Sequence, residues 1–289
     1  MTRHRATAIG FVAVLLWALL ALFTVGSAPT PPLLLNAICF GIGGTLELIW
    51  TVASGALTTL RGVPIKVYVF GTLGLFGYHA LYFSALRLAP AAEAGLIAYL
   101  WPLLIVIFSG LLPGERLRLG HLLGATLGFA GAALIVTSGG LGLSAEHLAG
   151  YVLALLCALT WSGYSVLSRL VGDAPTASVA VFCLASAVLS MPLHLMFEET
   201  ILPSTMLGWL AISGLGLGPV GLAFYVWDIG VKQGDIQLLG TSSYAAPLLS
   251  TLILVAVGVT APSITLFWAA LLITGGAALA ARASFSKNL

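Results

Sequence analysis

Apolar residues run through this chain in ten continuous stretches of about twenty, each set off by a short, more polar connection. A helix rises about 1.5 Å per residue, so about twenty apolar residues cross a hydrocarbon core of about 30 Å. The pattern predicts membrane helices at roughly 7–25, 32–54, 66–88, 91–112, 119–138, 148–170, 176–197, 206–230, 236–259 and 263–283. A transmembrane β-barrel would alternate in polarity over segments of about ten residues, which these stretches do not do. The connections carry turn residues, among them Pro29, Pro32, Pro64, Pro113-Gly114, Gly139-Gly140, Pro175, Pro203 and Pro262, and none has the length of a domain. The expected fold class is an all-α integral membrane protein of ten transmembrane helices.

The pattern is written twice. At an offset of 145 residues Tyr82 matches Trp227, Gly95 matches Gly240, Tyr99 matches Tyr244, Pro102-Leu103-Leu104 matches Pro247-Leu248-Leu249, and Gly131-Ala132-Ala133-Leu134 matches Gly276-Ala277-Ala278-Leu279. Two units of five helices are expected, 1–140 and 141–289, within one membrane domain. Five is odd, so the second unit enters the membrane from the opposite side, giving an inverted repeat. Secondary transporters are commonly built this way, with the substrate site near the midplane between the repeats. The first stretch begins Arg3-His4-Arg5 and reaches Val25-Gly26-Ser27, as a secretory signal does. Its Leu15-Leu16-Trp17-Ala18 has a counterpart in Leu159-Thr160-Trp161-Ser162, which makes it half of a repeated element and a retained helix.

Charge then orients the bundle. With the N-terminus inside, ten of the eleven Lys and Arg residues fall in cytoplasmic segments and only Arg87 lies outside. This bias predicts both termini on the cytoplasmic side. Sixty per cent of residues are apolar and seven per cent charged, which leaves no room for a soluble domain. The basic residues are dispersed, so no nucleic-acid surface is expected. Cys39, Cys157 and Cys183 lie inside apolar runs without metal-ligand spacing and read as small hydrophobes. No Walker, His-Glu-x-x-His or Gly-x-Ser-x-Gly motif is present, so the sequence indicates no enzyme, no ATP and no cofactor or metal.

The polar and aromatic residues at membrane depth mark a site, because such groups are costly there and face a cavity when kept. In the third helix Tyr78, His79 and Tyr82 share a face; in the fourth, Tyr99 and Trp101 precede Pro102. Trp17 in the first, Trp161, Tyr164, Ser165 and Ser168 in the sixth, and Ser243 and Tyr244 in the ninth complete a lining rich in rings and poor in charge. Pro102 and Pro247 are expected hinges, each leaving the carbonyl four residues earlier, Ala98 or Ser243, without its helical partner. Trp50, Trp209 and Trp268 sit near span ends and read as headgroup-belt residues. Glu47 and His79 are the deep ionisable groups with a possible proton role. Asp228 and Lys232 are spaced as a local ion pair, and Arg87 is expected to meet Glu93.

Ten helices in two halves, with Tyr99-Leu100-Trp101-Pro102 in the fourth, resemble the drug/metabolite transporter superfamily. The start Met1-Thr2-Arg3, Leu16-Trp17, Glu93, Trp161 with Tyr164, Trp227 with Gly230 and Gly234, and Ser243-Tyr244 with Pro247-Leu248 resemble its bacterial exporters of aromatic amino acids. The resemblance implies an inner-membrane exporter of aromatic and other apolar amino acids, with a central cavity lined by helices one, three, four, six, eight and nine. An exporter of drug-like cations or other metabolites, and a passive pore, are the alternatives. The expected partners are the small-molecule substrate and membrane lipid, with no oligomer required.

Overall fold

A computed structural model describes residues 1–137, 144–171, 174–259 and 261–285. The Gly139-Gly140 turn and the unit boundary at 140/141 lie outside the described residues. Among the described residues ten helices are long and apolar enough to cross a membrane: α1 Arg3–Gly26, α2 Pro32–Ala53, α3 Ile65–Leu88, α4 Ala91–Ser109, α5 Leu119–Thr137, α6 Ala145–Leu167, α7 Ser178–Phe197, α8 Met206–Gln233, α9 Ile236–Ala256 and α10 Ile264–Ser284. Their outer faces keep large apolar side chains exposed, as a lipid-facing surface requires. Trp50, Trp209 and Trp268 are on that surface, 63%, 41% and 54% exposed.

The principal pairings are α1 with α8, α2 with α7, α3 with α6 and α5 with α10. Exchanging the first five helices for the last five returns the same set: α1·α8 becomes α6·α3, while α2·α7 and α5·α10 map onto themselves. The tightest contacts are made backbone to backbone through glycine. A Cβ on Gly124 of α5 would stand 2.5 Å from the Gly276 carbonyl oxygen of α10, and one on Gly276 would stand 2.4 Å from that of Gly124. Gly10 of α1 and Gly230 of α8 meet in the same way, at 2.7 Å from the added Cβ to the Gly230 Cα. Within a bilayer, where lipid is as apolar as leucine, such close approach is what holds helices together. Gly124→Val should therefore force α5 and α10 apart, at a cost of about 1–3 kcal/mol. The expected result is a lower thermal midpoint and a lower yield of purified protein, with Gly275→Ala, which meets open space, as the silent control.

Among the described residues four helices are not continuous. α1 breaks between Trp17 and Leu20. α4 breaks between Ala98 and Trp101, ahead of Pro102, and α9 breaks between Ser242 and Ala245, ahead of Pro247. The two breaks are the same event in the two halves, since each proline lacks the N–H that would continue the ladder. α8 widens into a π-helical segment, Gly216–Leu222, around Pro219. The glycines Gly214, Gly216, Gly218 and Gly221 crowd this stretch, and α2 packs against it through Gly43. π-Segments of this kind mark places where a helix departs from its ladder for function.

Polar ties close the two ends differently. At the end carrying the N-terminus, Arg3 bridges Glu115 at 3.1 Å and Asp235 at 3.3 Å, and Arg169 bridges Glu115 at 2.8 Å. The Arg169 guanidinium also donates to the Val231 and Gly234 carbonyls. Four segments are thereby joined: the start of α1 and the α4–α5, α6–α7 and α8–α9 connections. Burial works against the Arg169 charge while Glu115 favours it. At the opposite end, Glu198 after α7 accepts from the Leu33 and Leu34 N–H groups at the start of α2, at 3.0 and 3.1 Å, and pairs with Arg87 at 3.1 Å. A carboxylate at a helix N-terminus meets free N–H groups and the positive end of the dipole. Arg87 thus reaches Glu198, 111 residues on, rather than the Glu93 that proximity in sequence pointed to. Asp228 and Lys232 do pair, at 2.8 Å.

Candidate substrate-binding site

Four indoles meet at the centre of the bundle, each from a different helix. Trp17 of α1 lies 5.9 Å from Trp101 of α4, 6.0 Å from Trp161 of α6 and 5.1 Å from Trp227 of α8, measured between ring centroids. Trp101 stands edge-on to Trp161 and Trp227 at 6.3 and 5.9 Å, and Trp161 and Trp227 lie stacked at 6.3 Å. These spacings are those of attractive ring pairs. Two indole N–H groups are anchored: Trp17 Nε1 donates to the Pro219 carbonyl at 3.1 Å, and Trp227 Nε1 to Ser165 Oγ at 3.1 Å. The first uses a carbonyl of the π-segment in α8. Distortion of that helix thus has a local consequence, the orientation of the ring at the centre of the cluster.

Burial divides the cluster into floor and wall. Trp101, Trp161, Tyr164 and Trp227 are 7%, 3%, 5% and 1% exposed. Trp17, Tyr78, His79, Tyr82 and Tyr99 keep accessible surface although protein surrounds them, as side chains lining a recess do. Along α4, Tyr99 and Leu100 retain surface and Ile105 and Val106 do not. Along α1, Ala6, Gly10, Ala13 and Val14 are buried before Trp17 is reached. Around the indoles, surface is kept by Trp17, Tyr78, His79, Tyr82, Tyr99 and Leu100 and lost at Ile105 and Val106, toward the N-terminal ion network.

α3 supplies the wall. Tyr78 stacks on Tyr82 at 6.1 Å and lies 5.6 Å from Trp161. The His79 ring stands edge-on to Phe40 at 5.0 Å and to Phe224 at 6.0 Å. Its Nδ1 is 2.8 Å from the Leu75 carbonyl, which only accepts, so Nδ1 carries the hydrogen and Nε2 is left as an acceptor. Phe40 and Phe224 stack on each other at 5.6 Å and close the α2–α8 side.

The expected hydroxyl lining is largely used up inside the protein. Ser165 Oγ accepts from Trp227, Ser168 Oγ donates to the Ser165 carbonyl at 2.9 Å, and Ser243 Oγ donates to the Leu239 carbonyl at 2.8 Å. Ser165, Ser243 and Tyr244 have no accessible surface. The Tyr244 hydroxyl accepts from Leu103 N–H at 3.1 Å and donates to the Tyr99 carbonyl at 3.3 Å, fastening the break in α4 to the break in α9. Its ring packs on Gly128, where a Cβ would come within 2.5 Å. Tyr244 is thus a tie between the two helix breaks, with no surface to line a recess. The Ser243 carbonyl, expected to be bare, accepts from Ala246 N–H at 3.1 Å in a tighter turn. Sequence reasoning brought Trp17, Tyr78, His79, Tyr82, Tyr99, Trp101, Trp161 and Tyr164 together. It assigned no role to Phe40, Phe224 or the Pro219 carbonyl.

Polar and aromatic side chains gathered at the centre of a ten-helix bundle are the arrangement of membrane solute carriers. The profile of the EamA-like transporter family matches residues 5–137 and 148–282, and the chain belongs to that family. It is 53% identical over 282 residues to the aromatic amino acid exporter YddG of Ancylobacter novellus, covering 97% of this chain and 98% of the relative. The exporter of the same name from Escherichia coli is 27% identical over 293 residues, covering 96% and 97%. A pseudopaline exporter, CntI of Pseudomonas aeruginosa, is 28% identical over 199 residues, covering 68% of each chain. A solved crystal structure 54% identical in sequence superposes with a TM-score of 0.93, covering 96% of this chain and 97% of its own.

Proposed function

We propose that this protein exports aromatic and other apolar amino acids across the bacterial inner membrane by alternating access. The observation that carries the reading is the indole cluster at the centre of the bundle, bordered among the described residues by aromatic side chains and not by Lys, Arg, Asp or Glu. Rings of this density favour a flat apolar side chain, each ring pair contributing about 0.5–1.5 kcal/mol beyond its buried area. The hydroxyls of Tyr78, Tyr82 and Tyr99 and the Nε2 of His79 remain to meet the ammonium and carboxylate of a zwitterion. Binding through neutral groups is weak, which suits export from a cytoplasm where the solute is concentrated. The relatives named as aromatic amino acid exporters support this substrate class.

The cycle follows from the repeat. With the termini inside, as the Lys and Arg distribution indicates, we read the conformation described as closed to the cytoplasm and open outward. Exchange of the two halves' conformations then closes the outer end and opens the N-terminal one, with the breaks at Pro102 and Pro247 as the bending points. The test is efflux of a preloaded panel of radiolabelled amino acids from liposomes holding the purified protein, with and without unlabelled competitor outside. Phenylalanine, tyrosine and tryptophan should leave fastest, leucine and methionine more slowly and aspartate or lysine not at all. Movement of charged and aromatic amino acids at equal rates would refute the assignment.

A further inference from the structure

Toward the N-terminal ion network the bundle buries two carboxyl groups that substrate binding does not use. Glu47 on α2 is 4% exposed and Asp228 on α8 is 1% exposed. One oxygen of Asp228 meets Lys232 Nζ at 2.8 Å. Its other oxygen and both oxygens of Glu47 make no hydrogen bond of good geometry, the Cys183 thiol and the Thr176 hydroxyl being their polar neighbours. Helix packing brings the two acids together. α2 and α8 run in the same direction and touch where a Cβ on Gly43 would stand 2.5 Å from the Gly221 Cα. From that contact Glu47 is one turn further along and Asp228 two, an axial offset of about 4.5 Å at 1.5 Å per residue.

The groups facing this pair come from every helix packed against it. α7 brings Cys183, whose thiol borders the Glu47 carboxyl and whose Cβ would be 3.0 Å from a Cβ on Gly44. α8 brings Lys232 and Tyr225, the α6–α7 connection brings Thr176 beside Asp228, and α6 brings Tyr164, which lies near both carboxyls. Tyr164 is also 5.4 Å from Trp161, which links the surroundings of the acids to the ring cluster. Two carboxyls and one ammonium cannot all be charged here and be neutral together. A carboxylate buried without a counter-charge costs several kcal/mol, and Lys232 is already engaged by Asp228.

We propose that Glu47 is a proton-binding site, holding its proton in this conformation and releasing it when the N-terminal end opens and water enters the α2–α8 seam. Resting on the carrier reading above, this makes export an exchange. A proton reaches the Glu47 carboxylate from the outer side and leaves to the cytoplasm, while the amino acid moves the other way; no other bond is made or broken.

The experiment uses liposomes containing the full-length protein, a trapped pH indicator and internal phenylalanine. Efflux through the wild type should acidify the lumen. Glu47→Gln, a neutral copy of the protonated acid, should keep phenylalanine-for-phenylalanine counterflow within about twofold while luminal acidification is lost. Glu47→Asp should restore part of the proton movement. Wild-type efflux without acidification, or acidification by Glu47→Gln, would overturn the proposal. Absence of phenylalanine movement in every sample would instead refute the carrier reading, and the site is then judged by infrared difference spectroscopy. A protonated-carboxyl carbonyl band present at neutral pH in the wild type and missing in Glu47→Gln is expected; no such band in the wild type would overturn the assignment.

Discussion

Arg169→Ala should yield a protein that inserts and folds but no longer holds its N-terminal end shut. The guanidinium is bonded to Glu115 at 2.8 Å and to the Val231 and Gly234 carbonyls, so one substitution frees three acceptors at the junction of the α4–α5, α6–α7 and α8–α9 connections. Removing one partner of a buried pair costs about 3–5 kcal/mol. Arg169 retains 15% of its side-chain surface and Glu115 keeps Arg3, so about 1–3 kcal/mol is the reasonable share. That shifts the balance between closed and open forms by about fivefold to 150-fold, with about tenfold near 1.4 kcal/mol. The measurement is the labelling rate of a cysteine placed at Ile105, which is fully buried, in a background lacking Cys39, Cys157 and Cys183. The variant should label at least fivefold faster than its parent, and net export should fall in proportion. Arg169→Lys, which cannot reach three acceptors in one plane, should lie between the two.

Trp101→Ala should remove the floor of the proposed substrate site. Its ring makes three close pairs, with Trp17, Trp161 and Trp227. Losing a facing surface of this kind should raise the half-saturation concentration for phenylalanine and tryptophan at least tenfold. Truncating a buried tryptophan also costs about 3–5 kcal/mol of stability, so Trp101→Phe is the informative companion. It should recover most of the affinity for aromatic solutes, and both variants should be scored only where the thermal midpoint stays above the assay temperature. Equal loss for aromatic and aliphatic solutes would assign Trp101 to packing alone.

Much of this architecture was legible from the pattern along the chain, because a bilayer imposes it. A helix must be about twenty apolar residues long to cross, and each of the ten runs became a spanning helix, although α8 extends to Gln233 and α4 stops at Ser109. The proline breaks were legible too, since Pro102 and Pro247 cannot continue a ladder wherever they sit. The direction of individual side chains was not. Ser165, Ser243 and Tyr244 share helical faces with lining residues, yet a few tens of degrees of rotation turned them into internal bonds. Spacing gives a face and not the rotation of that face toward a particular neighbour. The π-segment at Pro219 left a trace in the glycines of α8, but its effect, aiming a carbonyl at Trp17, joins residues 202 positions apart. Arg87 found Glu198 for the same reason: α3 and α7 are brought close by packing that no local spacing records.

The account's central claim is that one aromatic site is exposed to the two sides in turn. It is tested most directly by counterflow in liposomes containing the purified protein, loaded with excess unlabelled phenylalanine and diluted into a trace of labelled phenylalanine. An alternating carrier should accumulate label transiently above the equilibrium level, saturably, and Trp101→Ala should abolish the overshoot. A monotonic approach to equilibrium, indifferent to internal phenylalanine, would mean a pore and would contradict the account.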